Sequence, residues 1–221
     1  MTVRHQEVLV LAPHPDDETF GCGGTIRMLT NSGVSVDVAF LTRGEMGLEG
    51  RAHTEQITRE MAETRSHEAN AACDVLGVRH VSFLNGRDMQ LNAEPQQVAA
   101  ISDLLHARPY QRVFCPWQQD SHADHRATFS MLREAVKSGC FNLTFWLYEV
   151  WRPLPANTFV PIDPTIDSKR RAIEQYKSQL AQLNYQEGIL GLAAYRSLFC
   201  PPSKYAEAFL VCDLEEMLSL S

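Results

Sequence analysis

The sequence predicts an α/β protein with a doubly wound, mostly parallel β-sheet. The near-continuous apolar run EVLVLA at residues 7–12 is typical of a strand that is covered on both faces. Strand-like runs then alternate with helical patterns through most of the chain, as in successive βαβ units. The chain has 221 residues, 44% of them hydrophobic and 21% charged, which is enough to bury a core without disulfides. We expect one domain spanning residues 1–221.

The first half of the chain supplies three strands and three helices. After the first strand, the glycine-rich segment 21–25 reads as a loop that enters a helix, and Gly33 caps that helix. Strands are expected at 34–42 and 80–84, where apolar and β-branched residues cluster. A helical pattern covers 54–76 and ends at Gly77. A third helix covers 94–109, with one proline near its start and another at its end.

The second half repeats the alternation and then changes character. A strand at 112–116 and a helix at 122–139 are followed by a strand at 143–150. The proline-rich stretch 153–164 could mark an added β-segment. Two helices are expected at about 166–183 and 186–198, and residues 206–211 resemble a late strand or an extended edge segment.

Composition excludes several classes of protein. A net charge of −7 disfavours nucleic acid as a partner. The six cysteines lie at least twelve residues apart, so no CxxC zinc or redox motif is present. We expect free thiols in a reducing compartment. The apolar N-terminal segment is short for a signal peptide, and no run reaches the ~20 apolar residues of a membrane span. These features predict a cytoplasmic protein.

Two polar clusters follow two of the predicted strands. The sequence PHPDDE comes directly after the first strand, and QQDSHADH follows the fourth. Because ligands bind outside the carboxyl ends of the strands in open α/β sheets, both clusters belong at one edge of the sheet. We therefore expect them to meet in space.

The residue types of the two clusters suit a metal ion. Imidazole and carboxylate ligands are available without cysteine, from His14, Asp16, Asp17, His122, Asp124 and His125. Three protein ligands with an open position are typical of catalytic zinc, although iron(II) or another divalent ion accepts the same donors. A carboxylate beside the ligands could then take a proton from water. An aspartate that contacts a histidine without binding the metal itself could orient that histidine.

Simpler interpretations of these motifs remain open at this point. An aspartate pair before a helix is often a capping device, and His122 and His125 could lie on one exposed helix face. The segment GCGGT resembles the start of a dinucleotide-binding motif, but Ile26 stands where the last glycine should be. Close packing of a loop or helix start against the sheet is the better interpretation of these glycines.

Two segments of the chain together resemble the motifs of the PIG-L/LmbE-like deacetylases, namely VLAPHPDDETFGCGGTI and HADHRAT. The likeness extends through residues 41–47, 63–78, 178–180 and 204–209. It implies a Rossmann-like fold and a metal-dependent enzyme, commonly with zinc, that removes an N-acetyl group from an amino sugar. Ala123 replaces the proline that is frequent in the second motif, and Asp120 stands where some members carry a tyrosine that helps to hold the oxyanion.

The resemblance also implies roles for individual residues. It assigns His14, Asp17 and His125 to the metal and makes Asp16 the general base. His122 becomes the general acid and electrostatic stabiliser, with Asp124 as its partner. Two further residues, Arg65 and Asp88, match positions that contact substrate.

The expected reaction releases acetate and a free amine, with the last proton coming from either His122 or Asp16. Alternatives are an amidase that removes a larger acyl group from an amino-sugar conjugate, and a metal-dependent phosphoesterase. Residues 43–53, 85–95 and 184–205 are expected to shape the pocket. The expected partner is a small N-acetylated sugar or sugar conjugate, and a homo-oligomer is possible.

Overall fold

A computed structural model of the chain describes residues 6–47, 54–137, 139 and 141–220. Seven strands among these residues form one mixed sheet: β1 (Glu7–Ala12), β2 (Ser35–Phe40), β3 (His80–Phe83), β4 (Arg112–Pro116), β5 (Thr144–Tyr148), β6 (Thr158–Pro161) and β7 (Ala206–Cys212). The α-helices of the same residues are α1 (Asp17–Asn31), α2 (Glu55–Leu76), α3 (Pro95–Ala107), α4 (Ala123–Lys137), α5 (Ile166–Ile173), α6 (Lys177–Leu180), α7 (Tyr185–Arg196) and α8 (Leu214–Ser219). None of them combines the length and the apolarity that a membrane span needs.

The strand order is β3-β2-β1-β4-β5-β7-β6. The first five strands in this order run parallel, and β7 is antiparallel to both β5 and β6. On one side of β1 the chain adds β2 and then β3, and β4 pairs with the opposite side of β1. The carboxyl ends of β1 and β4 therefore flank the point where the strand order reverses, which is where a ligand crevice forms in doubly wound sheets. The predicted fold class is confirmed.

Two apolar cores cover the two faces of the sheet. Along β1, Val8 and Val10 face one core, which contains residues of α1, α2 and α5. Leu9 and Leu11 face the other core, which contains residues of α3, α4 and α8. This alternation explains why the first strand reads as an unbroken apolar run.

The glycine-rich segment 21–25 lies inside α1, so the prediction of a loop there is wrong. The helix is interrupted at Cys22, whose φ and ψ of −144° and 18° are not helical. A Cβ on Gly21 would overlap the ring of Tyr148, and one on Gly24 would lie 2.8 Å from Ile162. The glycines therefore allow close packing of this helix against the sheet, as the sequence suggested.

The C-terminal third differs most from the sequence prediction. The helix expected at 166–183 is divided into α5 and α6, and the buried Tyr176 lies at the break. Strand β7 lies between β5 and β6 rather than at the edge, and the proline-rich stretch supplies the edge strand β6. Helix α8 was not predicted. Of the predicted pocket segment 43–53, residues 48–53 lie outside the described residues.

Candidate active site

A cavity of about 240 Å³ opens at the carboxyl ends of β1 and β4. Residues of both polar clusters line it, together with side chains of α2 and of the segment after β3. Among them are His14, Asp16, Asp17, Arg65, Asp88 and His122. Asp124 and His125 are completely or almost completely buried beside the cavity. The two clusters therefore meet in space, as the sequence predicted.

Asp16 occupies the position directly before α1 but does not cap the helix with its side chain. Its φ of 132° lies in a region that residues other than glycine rarely adopt, and such strain is typical of functional sites. One carboxylate oxygen accepts a 2.8 Å hydrogen bond from Arg65 Nη2. The capping interpretation is therefore wrong for Asp16, and its carboxylate is held at the cavity.

Arg65 reaches this point from α2 and is 4% exposed. Besides Asp16, its guanidinium donates to the carbonyl oxygens of Pro15, at 2.5 Å, and Gly44, at 3.1 Å. The resemblance implied a substrate contact for Arg65. In the structure its donors are directed at Asp16 and the neighbouring backbone. Arg65 also lines the cavity, so the substrate contact stays a prediction.

Asp17 lies between two histidines. Its Oδ2 is 3.1 Å from His14 Nδ1, and its Oδ1 is 3.2 Å from His125 Nε2. Its Oδ2 also accepts the backbone N–H of His14 at 2.9 Å. One ring nitrogen from each histidine therefore contacts a different oxygen of the Asp17 carboxylate.

The second ring nitrogen of His14 faces two carboxylates. Nε2 lies 3.0 Å from Asp124 Oδ2 and 3.1 Å from Asp88 Oδ1. A carboxylate that holds one ring nitrogen of a metal-binding histidine fixes the proton there and leaves the other nitrogen for the metal. Asp88, which was expected to contact substrate, also accepts the backbone N–H of Met46 at 3.0 Å.

The expected pairing of Asp124 with the His122 side chain is corrected by the structure. The Asp124 carboxylate accepts the backbone N–H groups of Met89, at 2.7 Å, and Leu91, at 3.2 Å, in addition to its contact with His14. Only the backbone N–H of Asp124 reaches His122, at 3.2 Å from Nδ1. The backbone N–H groups of Met89 and Leu91 have the Asp124 carboxylate as their acceptor, so this carboxylate points away from the His122 side chain. The spacing of the motif does not reveal this orientation.

His122 is half-buried in the cavity wall. Its ring centroid is 4.7 Å from that of His14 and 5.0 Å from that of His125. Because Nδ1 accepts the N–H of Asp124, the remaining proton of neutral His122 belongs on Nε2. Burial and the two neighbouring histidines lower the pKa of His122, which favours this neutral form.

Asp120, which the resemblance places where some members carry a tyrosine, was not among the predicted metal, catalytic or substrate residues but lies at the site. One of its oxygens lies 3.3 Å from His125 Nδ1 and accepts the backbone N–H of His122 at 2.9 Å. The other accepts the N–H of Trp151 at 3.1 Å. Asp120 therefore connects a histidine of the site to the cavity wall formed after β5. Its position two residues before His122 was the available signal.

Glu18 supports the strained turn from within the core. It is completely buried, accepts the N–H of Asp16 at 3.2 Å and accepts the hydroxyl of Tyr176 at 2.6 Å. Burial raises the pKa of Glu18 to about 7, against the effect of its hydrogen bonds. The link to Tyr176 joins the first polar cluster to the segment between α5 and α6.

The residue types and contacts around Asp17 fit a metal ion held by His14, Asp17 and His125. Both ring nitrogens of His125 are buried and lack hydrogen bonds of good geometry to the described residues, although carboxylate oxygens lie nearby. Imidazole nitrogens and a carboxylate oxygen are the ligands that zinc accepts, and the Asp17 oxygens lie 3.1 Å from His14 Nδ1 and 3.2 Å from His125 Nε2. His122 also lies near enough to join a metal-binding group with His14 and His125.

The shifted pKa values of His125 and Asp17 are also consistent with a metal ion at this site. Burial lowers the pKa of His125, but Asp17 and Asp120 outweigh it and raise that pKa to about 9. Burial raises the pKa of Asp17, yet the two histidines hold it well below its usual range. The carboxylates therefore favour positive charge at the histidines, and a bound divalent cation can supply it in place of the imidazolium protons.

The chain matches a known protein family. Residues 9–136 match the PIG-L family, described as GlcNAc-PI de-N-acetylases. This match covers more than half of the chain and includes both polar clusters. The chain therefore belongs to the PIG-L family of LmbE-like deacetylases.

The chain is also similar to individual deacetylases. The chain is 32% identical over 127 residues to a Bacillus cereus protein named as a probable N-acetyl-α-D-glucosaminyl L-malate deacetylase 2, a match that covers 55% of the chain and 57% of the relative. It is 29% identical over 196 residues to the diacetylchitobiose deacetylase of Thermococcus kodakarensis, covering 80% and 71%. The crystal structure of N,N'-diacetylchitobiose deacetylase from Pyrococcus horikoshii superposes with a TM-score of 0.84 at 25% identity, covering 95% of this chain and 85% of that one.

Proposed function

We propose that this protein is a metal-dependent hydrolase that removes an N-acetyl group from a GlcNAc-type amino sugar and releases acetate and a free amine. The main observation behind this proposal is that Asp17 contacts ring nitrogens of both His14 and His125, directly beside the strained Asp16. Membership of the deacetylase family and the named activities of the relatives support it.

His14 Nδ1, the Asp17 carboxylate and His125 Nε2 would hold the ion. When bound, Zn²⁺ or another divalent ion such as Fe²⁺ supplies Lewis-acid activation of the acetamide carbonyl and of water. Asp88 and Asp124 hold the second nitrogen of His14, so the ring stays oriented towards the ion.

Asp16 is the general base that takes the proton of the attacking water. Burial is the largest influence on its carboxyl and raises its pKa to about 8, while Arg65 opposes this effect and Asp17 adds to it. The positive charge of a bound metal acts in the same direction as Arg65 and favours the carboxylate.

His122 stabilises the oxygen that becomes negative in the tetrahedral intermediate, through its Nε2–H. Because Nδ1 already accepts a backbone N–H, loss of the Nε2 proton would leave an anionic ring. The protonated Asp16 is therefore the better donor to the departing amine. The proposal thus favours Asp16 over His122 for this last step.

The proposal also includes the domain organisation of the protein and the partner that it binds. We propose a single domain over residues 1–221 and a small N-acetylated sugar or sugar conjugate as the partner. A homo-oligomer and a cytoplasmic location stay predictions. Free thiols at the five described cysteines support the latter.

An acetate-release screen tests the proposed function. Purified protein is incubated with N-acetylated sugars and sugar conjugates, with and without a chelator, and metal is then restored. We expect acetate release that the chelator abolishes and that Zn²⁺ or Fe²⁺ recovers. Release of a longer acid from longer N-acyl sugars, with no acetate from any compound, would favour the larger-acyl amidase instead.

A further inference from the structure

Helix α1, which follows the first polar cluster, is kinked at Cys22. Because φ and ψ of Cys22 are not helical, residues 17–21 form a short helical segment that is set apart from the rest of α1. This part, here called the first segment of α1, carries Asp17 and Phe20, and both of them line the catalytic cavity. The direction of the first segment therefore decides where these side chains lie.

A buried ion pair occupies the break in the helix. Lys169 of α5 and Glu207 of β7 are 1% and 4% exposed, and Lys169 Nζ lies 2.5 Å from Glu207 Oε1. The two carboxylate oxygens of Glu207 accept the backbone N–H groups of Gly24, at 2.8 Å, and Thr25, at 2.7 Å. Lys169 Nζ donates to the carbonyl oxygen of Phe20 at 2.8 Å. The pair therefore bonds backbone groups on both sides of the break.

These contacts take the place of a hydrogen bond that a continuous helix would make. In such a helix the N–H of Gly24 would donate to the carbonyl of Phe20, four residues earlier. Here Glu207 accepts that N–H, and Lys169 donates to that carbonyl. A side chain that enters the ladder of hydrogen bonds in this way is a recognised cause of a helix kink. The ion pair is therefore placed to hold the break open.

The general base is connected to the ion pair through Phe20. The Phe20 N–H donates to the backbone carbonyl of Asp16 at 2.8 Å, while the Phe20 carbonyl accepts from Lys169. Asp16 is also the residue whose φ of 132° is strained. A change at the break is therefore transmitted through the first segment to the backbone of Asp16.

Stability alone does not account for the burial of these two charges. The cost of removing a lysine and a glutamate from water offsets most of their attraction, and apolar residues of similar volume often stabilise a protein as well. We propose that Lys169 and Glu207 are positioning residues, which hold the break in α1 and thereby orient Asp16 and Asp17 at the metal site. The kinetic part of this proposal rests on the proposed function.

The first test replaces the pair by apolar residues. In Lys169→Met/Glu207→Met no buried charge is left unpaired, but two backbone N–H groups of α1 lose their acceptor. Because unpaired buried N–H groups are costly, we expect the helix to become continuous through Cys22. A crystal structure of the variant should show helical φ and ψ at Cys22 and a displaced Asp16. A persisting break, or an Asp16 that has not moved, would overturn the proposal.

Two solution measurements show whether this orientation matters to the site. Zn²⁺ affinity is measured by competition with a chelator, and kcat and KM by acetate release, all well below the Tm of the variant. We expect Zn²⁺ affinity and kcat each to fall about 10- to 100-fold, because the metal ligand and the base are displaced, with KM near its wild-type value. Wild-type Zn²⁺ affinity or wild-type kcat in this variant would overturn the proposal.

Two further double variants complete the test. Lys169→Met/Glu207→Gln keeps an acceptor for one N–H at the break, so part of the lost kcat and Zn²⁺ affinity should return. If the first variant does not fold, this one takes its place, and wild-type values in it would overturn the proposal. Arg79→Met/Asp37→Asn is the control, because it removes an ion pair of another buried carboxylate, at the amino ends of β2 and β3.

The control should keep wild-type kcat and Zn²⁺ affinity even where its Tm falls. A loss in the control as large as in Lys169→Met/Glu207→Met would trace the effect to reduced stability and overturn the proposal. If the wild type releases no acetate from any compound, the proposed function fails. The crystal structure and the Zn²⁺ affinity then still decide whether Lys169 and Glu207 position the site.

Discussion

Removal of the Arg65 guanidinium tests how the site holds its general base. In Arg65→Met the Asp16 carboxylate loses a 2.8 Å charged hydrogen bond, and the carbonyl oxygens of Pro15 and Gly44 lose donors at 2.5 and 3.1 Å. The side chain is 4% exposed, so water cannot easily replace these contacts. A hydrogen bond to a charged group contributes about 1.5–3 kcal/mol. If that amount is lost from the transition state, kcat falls about 10- to 100-fold.

The assay is the initial rate of acetate release, with kcat and KM determined separately. A residue that positions the base lowers kcat, whereas a residue that only contacts substrate raises KM. We expect the first result, with the metal content of the wild type. The matched control is Arg59→Met on the same helix, because Arg59 is exposed and pairs with the exposed Glu55. A raised KM with unchanged kcat in Arg65→Met would refute this role for Arg65.

Three further predictions concern other buried charges. Asp120→Asn should weaken metal binding about 10- to 100-fold, because the carboxylate that orients His125 loses its charge. A competitive chelator titration measures this affinity, and an unchanged value would contradict the contact with His125. Burial raises the pKa of Asp37, but hydrogen bonds from Arg79, at 2.7 and 2.9 Å, outweigh it and leave the pKa lowered. The unfolded chain therefore binds more protons in acid, so this stabilisation is complete above about pH 5 and is lost as the pH falls further. Asp37→Asn should flatten the acid side of a Tm-against-pH curve. Lys169→Met leaves the buried Glu207 without its partner and should cost about 3–5 kcal/mol in urea unfolding, while adding Glu207→Gln should recover part of the loss; a single variant as stable as the wild type would disprove the pairing.

The sequence was informative wherever local patterns determine structure. The apolar run at 7–12 predicted β1, and the position of the polar clusters after β1 and β4 predicted where they meet. Both follow from periodicity and from a general rule of parallel sheets, so they need no knowledge of distant contacts. The family resemblance added the residue roles, and the family itself is confirmed.

Other features depend on contacts between distant segments and could not be read from the sequence. The break between α5 and α6 places Tyr176 against Glu18, 158 residues away. The Asp124 carboxylate contacts His14 and accepts the backbone N–H groups of Met89 and Leu91 in the segment after β3. The glycines at 21–24 favour a loop by local propensity, yet close packing against Tyr148 places them in a helix.

The proposed mechanism gives two neighbouring aspartates different roles, with Asp17 holding the metal and Asp16 acting as the base. Asp17→Asn and Asp16→Asn are purified in parallel, and metal content by elemental analysis is measured together with acetate release. We expect Asp16→Asn to retain the metal content of the wild type and to lose most turnover, and Asp17→Asn to lose the metal. Loss of metal in Asp16→Asn, with metal retained in Asp17→Asn, would contradict the assignment of both residues.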